Sequence, residues 1–299
     1  MNKALLASIA AFSMWGLFPL YWKMFSSESA WDLFAFRLVF SFITLFFFVL
    51  LKKKFKVLKE ALKDKKKVFW LVISAVLISS NWLLYIYAVN ANRILEASMG
   101  YFLNPIILII LGRLIFKEEM RKTQLPSVIL VLIAITYIAF NTNLSQFPWI
   151  ALSLSISFAL YGLIRKLVNI GSIEGLFFET SVIALPTLIA WPFISGNPIE
   201  IYASLGISKA LLLSLSGLLT GVPLILFAYA AKNLKFTTLG FTQYLSPSFK
   251  FICGIVIFKE VLLPHNLVGF ALIWIALAIY SMESIYFSRK LKLANRKNL

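Results

Sequence analysis

The sequence predicts an all-α integral membrane protein of ten transmembrane helices, arranged as two inverted five-helix repeats. Three observations carry this expectation. Of 299 residues, 61% are hydrophobic and only 14% are charged, and the mean hydropathy is +0.88, whereas a water-soluble surface needs far more polar cover. The apolar residues fall in blocks of about 18 to 25, matching about 30 Å of hydrocarbon at about 1.5 Å per helical residue, without the alternation of barrel strands. Finally, the stretch 101–118, YFLNPIILIILGRLIFKE, recurs at 243–260 as QYLSPSFKFICGIVIFKE, with Leu103/Leu245, Pro105/Pro247, Gly112/Gly254 and Lys117-Glu118/Lys259-Glu260 among the identities.

The spans follow in order at about 4–23, 31–51, 68–90, 94–115, 124–140, 147–165, 174–194, 209–230, 236–258 and 265–287. The first begins after Lys3 and runs through Trp15 and Pro19 without a small-residue cleavage site, so it is expected to be retained. Connections are short, except the basic segment from Lys52 to Lys67 and an irregular loop from Ser195 to Ser208. In the basic segment, Phe55, Leu58 and Leu62 share a helical face among lysines. Such a helix suits an anionic lipid surface, although a charge run after an apolar span is first of all a topology signal.

Orientation follows from the basic residues. If the N-terminus is cytoplasmic, that side receives Lys3, the lysines of 52–67, Lys117, Arg121, Lys122, Arg165, Lys166, Lys232, Lys235 and the basic C-terminal tail. The opposite side receives Lys23, Arg93, Lys209 and Lys259. Both termini are therefore expected in the cytoplasm, and the net charge of +17 reads as topology, not as a nucleic-acid footprint. The sequence offset of the repeat also pairs Tyr87-Ala88 with Tyr229-Ala230 and Ile133-Ala134 with Ile275-Ala276. An odd number of spans per copy inverts the second copy relative to the first. The units are expected at 1–143 and 144–290, followed by a basic tail at 291–299.

Polar residues inside spans need a reason, because a charge near the bilayer centre costs at least about 2.5–3.5 kcal/mol. Arg37, Ser41 and Thr44 form one polar face. Glu96, Gly100 and Asn104 repeat at i+4 beside Tyr101, and Gln243, Ser246 and Lys250 share a face beside Tyr244. Asn81 and Tyr85 lie one turn apart next to Trp82, and Glu179 and Thr180 fall early in their span. Each uncharged member serves equally as glue between helices, at about 0.6 kcal/mol per bond, or as cavity lining. Lys250 stands too deep to snorkel, and Glu96 or Glu179 is its expected partner. Arg113 is expected to snorkel or to pair with Glu118. Pro105 and Pro247 each remove a backbone hydrogen bond, so both are expected to break their helices at an interior position.

Enzymatic signatures are missing from the sequence: no G-x-S-x-G, H-E-x-x-H or P-loop occurs. The lone Cys253 and lone His265 supply neither a disulfide framework nor a metal site. No enzyme activity and no cofactor are expected.

GLFPLYWK at 16–23, NWLLYIYAVN at 81–90, LEASMGYFLNP at 95–105, PWIALSLSISFALYGLIRK at 148–166, GLFFET at 175–180 and QYLSP at 243–247 resemble the RarD group of the EamA permeases, in the drug/metabolite transporter superfamily. The resemblance implies two inverted EamA repeats and secondary transport of a small metabolite or drug-like molecule across the bacterial inner membrane. The group's traditional label refers to chloramphenicol sensitivity, and relatives in the superfamily handle amino acids and other metabolites. Alternating access at a cavity lined by spans one, three, four, six, eight and nine is expected. Its substrate-binding residues are expected to be Trp15, Asn81, Tyr85, Glu96, Tyr101, Asn104, Glu179, Gln243, Tyr244, Ser246 and Lys250. Glu96 and Glu179 are the candidate proton carriers if protons drive transport. The competing expectation is a non-transporting structural, signalling or lipid-handling membrane protein, in which these residues would be dispersed among separate helix contacts.

Overall fold

The computed structural model describes residues 2–25, 27–90, 94–141, 149–257, 259 and 264–297; of these, the side chains of 30, 86, 89, 90, 94–99, 139, 265, 266 and 288–297 are outside the description. The described chain is helical throughout. The helices are α1 (Lys3–Trp22), α2 (Ala30–Leu51), α3 (Phe55–Leu62), α4 (Lys65–Asn90), α5 (Ile94–Phe116), α6 (Leu125–Asn141), α7 (Trp149–Leu167), α8 (Ser172–Ser195), α9 (Pro198–Ser204), α10 (Gly206–Ser214), α11 (Ser216–Asn233), α12 (Phe236–Gln243), α13 (Leu245–Ile252) and α14 (Pro264–Lys297). A π-helical turn, Cys253–Ile257, follows α13.

Among the described residues, seven segments are long and apolar enough to cross a bilayer: Lys3–Phe25, Trp31–Leu51, Lys65–Tyr85, Trp149–Leu167, Ser172–Ser195, Gly206–Asn233 and Leu267–Phe287. Gly100–Phe116 and Lys122–Ile138 are shorter apolar helices. Many of their large side chains stay exposed, among them Phe47, Phe69, Leu114, Ile133, Ile189 and Phe193. That is the surface of a multi-pass protein solvated by lipid tails.

The structure departs from the sequence expectation in its interruptions. Pro105 lies inside an unbroken α5, whereas the second copy is divided at Tyr244, one turn before Pro247. Pro247 thereby falls in the first turn of α13, where its missing N–H has no helical partner to lose. The expected irregular loop at 195–208 contains α9, whose N-cap Asn197 accepts a hydrogen bond from Ile199 N at 3.0 Å. Lys117 and Lys259, equivalent in the repeat, share a left-handed backbone with φ of 48° and 53°.

Packing fixes the arrangement. α1 lies along α11 and α13, and α7 lies along α4 and α5. α2 is held between α8 and α11, and α8 between α2 and α4, while α5 meets α12 and α6 pairs with α14. Arg121 clamps Glu283 bidentately at 2.5 and 2.7 Å, fastening the start of α6 to α14. The main core joins Phe12, Leu108, Tyr161, Phe227 and Leu239 from both halves of the chain.

The α2–α11 contact is close enough to require glycine. A Cβ on Gly217 would collide with the Phe40 carbonyl, a backbone atom that cannot swing aside, whereas one on Gly221 would meet only the Leu45 side chain at 3.7 Å. Gly217→Leu is therefore expected to destabilise the protein by about 1–3 kcal/mol or more. A melting curve in detergent checks this, with Gly221→Ala as the near-neutral control.

Candidate functional site

A cavity of about 350 Å³ lies between the helices of the two halves. The turn spacing of α1 lines it with Phe12, Trp15, Pro19 and Trp22, and Phe18 joins them. Asn81, Trp82 and Tyr85 come from α4, and Gly100, Tyr101 and Asn104 from α5. Leu154 and Phe158 of α7 and Leu224 of α11 complete the apolar wall. The break between α12 and α13 presents Gln243, Ser246, Pro247 and Lys250, and α2 contributes Arg37. These positions run from the middle to the C-terminal end of α1 and belong to the second half of α4 and the first halves of α2, α5 and α7. The cavity thus occupies one half of the bundle's depth, away from the basic segment of 52–67.

Two cations face this space. Lys250 Nζ stands 4.0 Å above the Tyr101 ring centroid, and the Arg37 guanidinium 4.3 Å above that of Trp82. Arg37 Nε also donates to Thr220 Oγ1 at 2.9 Å. The amides divide their valences. Asn81 Nδ2 donates to Leu154 O at 2.7 Å and Ser157 Oγ at 2.9 Å, and Asn104 Nδ2 donates to Ser155 O at 2.7 Å, so both tie their helices to α7. Asn104 Oδ1 and Gln243 Oε1 accept nothing among the described residues.

Of the residues singled out in the sequence, Trp15, Asn81, Tyr85, Tyr101, Asn104, Gln243, Ser246 and Lys250 meet on this one cavity. The side chain of Glu96 lies outside the described residues. Two expectations are corrected. Tyr244 turns away and is fully buried, its hydroxyl donating to Phe102 O at 3.2 Å, beside the carbonyl that Pro105 deprives of its helical donor. Glu179 does not reach Lys250, because it is held by Ser74 Oγ at 2.5 Å and Arg165 Nη1 at 3.5 Å. The sequence reading left out Arg37 and Trp82 as site residues. Arg37 was legible as an intramembrane charge, but its expected polar face is not shared, since Ser41 Oγ bonds back to the Arg37 carbonyl at 2.6 Å.

The opposite end of the bundle is tied together by buried polar contacts. Just beyond α5, Glu118 accepts from Phe236 N at 2.6 Å and from Thr237 N and Oγ1 at 3.0 Å each, capping α12. Glu118 therefore serves α12 in place of the expected Arg113. Lys166 lies 3.5 Å from Glu118, donates to Leu234 O at 2.5 Å and sits between the rings of Phe116 and Phe236 at 4.6 Å from each. Next to it Arg165 donates to Ser172 O at 3.2 Å, and a Cβ on Gly175 would run into its guanidinium. The residue sequence GLFFET thus folds glycine and glutamate around one arginine. The cavity's own end has a weaker tie, a half-buried pair between Glu28 and Lys209 at 2.8 Å. That bond holds the Glu28 carboxyl below the usual carboxylate range.

The model of the EamA-like transporter family matches residues 1–140. Protein RarD of Streptomyces exfoliatus is 37% identical over 291 residues, covering 97% of this chain and 91% of that protein. Protein RarD of Salmonella typhimurium is 37% identical over 290 residues, covering 97% and 98%. The chain belongs to the EamA-like transporter family, as a permease of RarD type. An uncharacterized transporter of Bacillus subtilis, YojE, is 34% identical over 294 residues with 97% of both chains covered. A solved crystal structure superposes with a TM-score of 0.73 at 15% identity, over 94% of this chain and 98% of the other, a likeness of fold. The protein is accordingly a membrane transporter with a small-molecule substrate, set in lipid.

The buried pair of Arg165 and Glu179, with side chains only 2% and 1% exposed, yields a stability prediction. Removing one partner strands a charge, so Glu179→Ala and Arg165→Met are each expected to cost about 3–5 kcal/mol. The double variant Arg165→Met/Glu179→Met should cost less than the sum of the singles. Thermal unfolding of the three purified variants in detergent measures both.

Proposed function

We propose that this chain is a secondary transporter that carries a small metabolite across the cytoplasmic membrane by alternating access at the cavity described above. One observation carries the reading: Asn81, Asn104, Gln243 and Lys250, from both halves of the chain, line a single void. A structural or signalling subunit would have no use for a lysine gathered at that depth with the unpartnered oxygens of Asn104 and Gln243. Trp15, Tyr85, Tyr101 and Ser246 complete the proposed binding set, with Arg37 and Trp82 added from the geometry. A charged group of the substrate meets Lys250, and the amides and aromatic rings orient the rest.

The proposed architecture is ten spans in two inverted units, 1–143 and 144–290, with the tail at 291–299. α10 with α11 makes the eighth span, and α12, α13 and the π turn make the ninth. The packing supports the symmetry. Exchanging the units turns the α1–α11 contact into α7–α4, the α1–α13 contact into α7–α5, and the α2–α11 contact into α8–α4, each of which occurs. The shared left-handed backbone of Lys117 and Lys259 agrees. The distribution of basic loops supports termini in the cytoplasm, and the end tied by Glu118 and Lys166 is then the cytoplasmic one. Transport would proceed by rocking one unit against the other until that end parts and the cavity's end shuts.

Uptake into reconstituted vesicles, across a panel of small metabolites and with or without a pH gradient, tests the reading. Saturable flux of at least one compound is expected, reduced about tenfold or more by Lys250→Met. Absence of flux for every compound from folded protein, or a Lys250→Met variant that transports normally, would contradict it. The gradient arm decides whether protons are coupled.

A further inference from the structure

Resting on the transport reading above, we infer that the cargo is an aromatic carboxylate bearing a hydrogen-bond donor on its ring. The cavity contains two cations, Arg37 and Lys250, and no Asp or Glu among its described lining residues. Among the described residues, neither cation has a carboxylate within ion-pair distance; each rests on an aromatic face instead. Two positive charges in one apolar-walled space are costly without an anion, and since the described lining supplies none, the counter-charge is assigned to the ligand. A charge-assisted bond from guanidinium or ammonium to a carboxylate is stronger than a resting cation–π contact, which lets cargo displace Tyr101 and Trp82 from their cations.

The walls specify the body of the molecule. Trp15, Phe18, Trp22, Phe158 and the freed face of Tyr101 surround the space, and such surfaces hold a planar ring by offset or edge-to-face packing. At about 30 Å³ per water, 350 Å³ corresponds to about a dozen water-sized groups, room for one ring and its substituents. Two of the lining residues carry orphan acceptors, Asn104 Oδ1 and Gln243 Oε1. Buried acceptors without donors are rare and costly, and a hydroxyl or neutral amine on the ring would satisfy them. A zwitterionic amino acid fits less well, because its ammonium group would find no carboxylate among the described lining residues.

Three ligands sharing one phenol test the inference: para-hydroxyphenylpropionate as the anion, tyrosine as the zwitterion and tyramine as the cation. Binding is read as saturable quenching of tryptophan emission in detergent, since Trp15, Trp22 and Trp82 line the site, with flux in vesicles measured in parallel. The anion is expected to bind at least about tenfold more tightly than the other two. Lys250→Met should lose about tenfold in affinity for the anion, Lys250→Arg should retain it, and Lys250→Glu should turn the preference to tyramine. The inference is overturned if tyrosine or tyramine binds as tightly as the anion, if Lys250→Met leaves the affinity for the anion unchanged, or if folded protein binds none of the three. The transport reading fails separately, if a ligand that binds saturably at this site is never carried across the vesicle membrane.

Discussion

The carboxylate of Glu118 decides how the two halves of this protein meet. A helix that begins inside a low-dielectric bundle has N–H groups with no partner, and hydrocarbon supplies no water for them. Glu118 reaches from the end of α5 to the first N–H groups of α12 and draws in Lys166 from the end of α7. Three helices from different parts of the sequence are thereby held at one level. Beside them, Arg165 and Glu179 bind the end of α7 to α8 and, through Ser74, to α4. The cavity lies toward the other end of the bundle.

The polar side chains inside the bundle therefore fall into two groups. Glu118 and the amide nitrogens of Asn81 and Asn104 spend their hydrogen bonds on protein partners, and Arg165 and Glu179 are held as an ion pair, which is the ordinary solution for a polar group at membrane depth. Lys250, Arg37, Asn104 Oδ1 and Gln243 Oε1 are committed only to aromatic faces, to one hydroxyl, or to nothing described. In the proposed cycle the first group changes partners when the units rock, and the second meets the cargo. The break at Tyr244 belongs to both groups, since it buries the Tyr244 ring against α5 and turns Gln243 and Lys250 toward the cavity.

The helices and most of the cavity's polar lining were legible in the sequence for one physical reason: apolar runs mark spans, and each polar residue within a run is expensive enough to need a use. That reasoning identified Lys250, Asn81 and Asn104. It could not identify partners. Glu179 is as costly in a span as Lys250, yet the two lie on separate sites, because pairing depends on packing between helices distant in sequence. Arg37 bonds Thr220 across the bundle, and Glu118 caps a helix 118 positions away. No local pattern announces either contact, and the N-cap position Lys235 makes no side-chain cap itself. The prolines misled for a related reason: a proline marks a lost hydrogen bond, while the place of the break depends on where a neighbouring helix can repair it.

The most direct test of a cavity reached from one side uses the chain's single cysteine. With buried Cys253 replaced by serine, new cysteines are introduced singly at Tyr85, on the cavity, and at Thr237, in the tied end. A membrane-impermeant maleimide is then applied to intact cells. Labelling of the Tyr85→Cys protein and protection of the Thr237→Cys protein are expected, the second becoming reactive only from the cytoplasmic face of inverted vesicles. Labelling of Thr237→Cys from outside, or protection of Tyr85→Cys there with labelling from the cytoplasmic face, would contradict the proposed orientation and the tied end on which it rests.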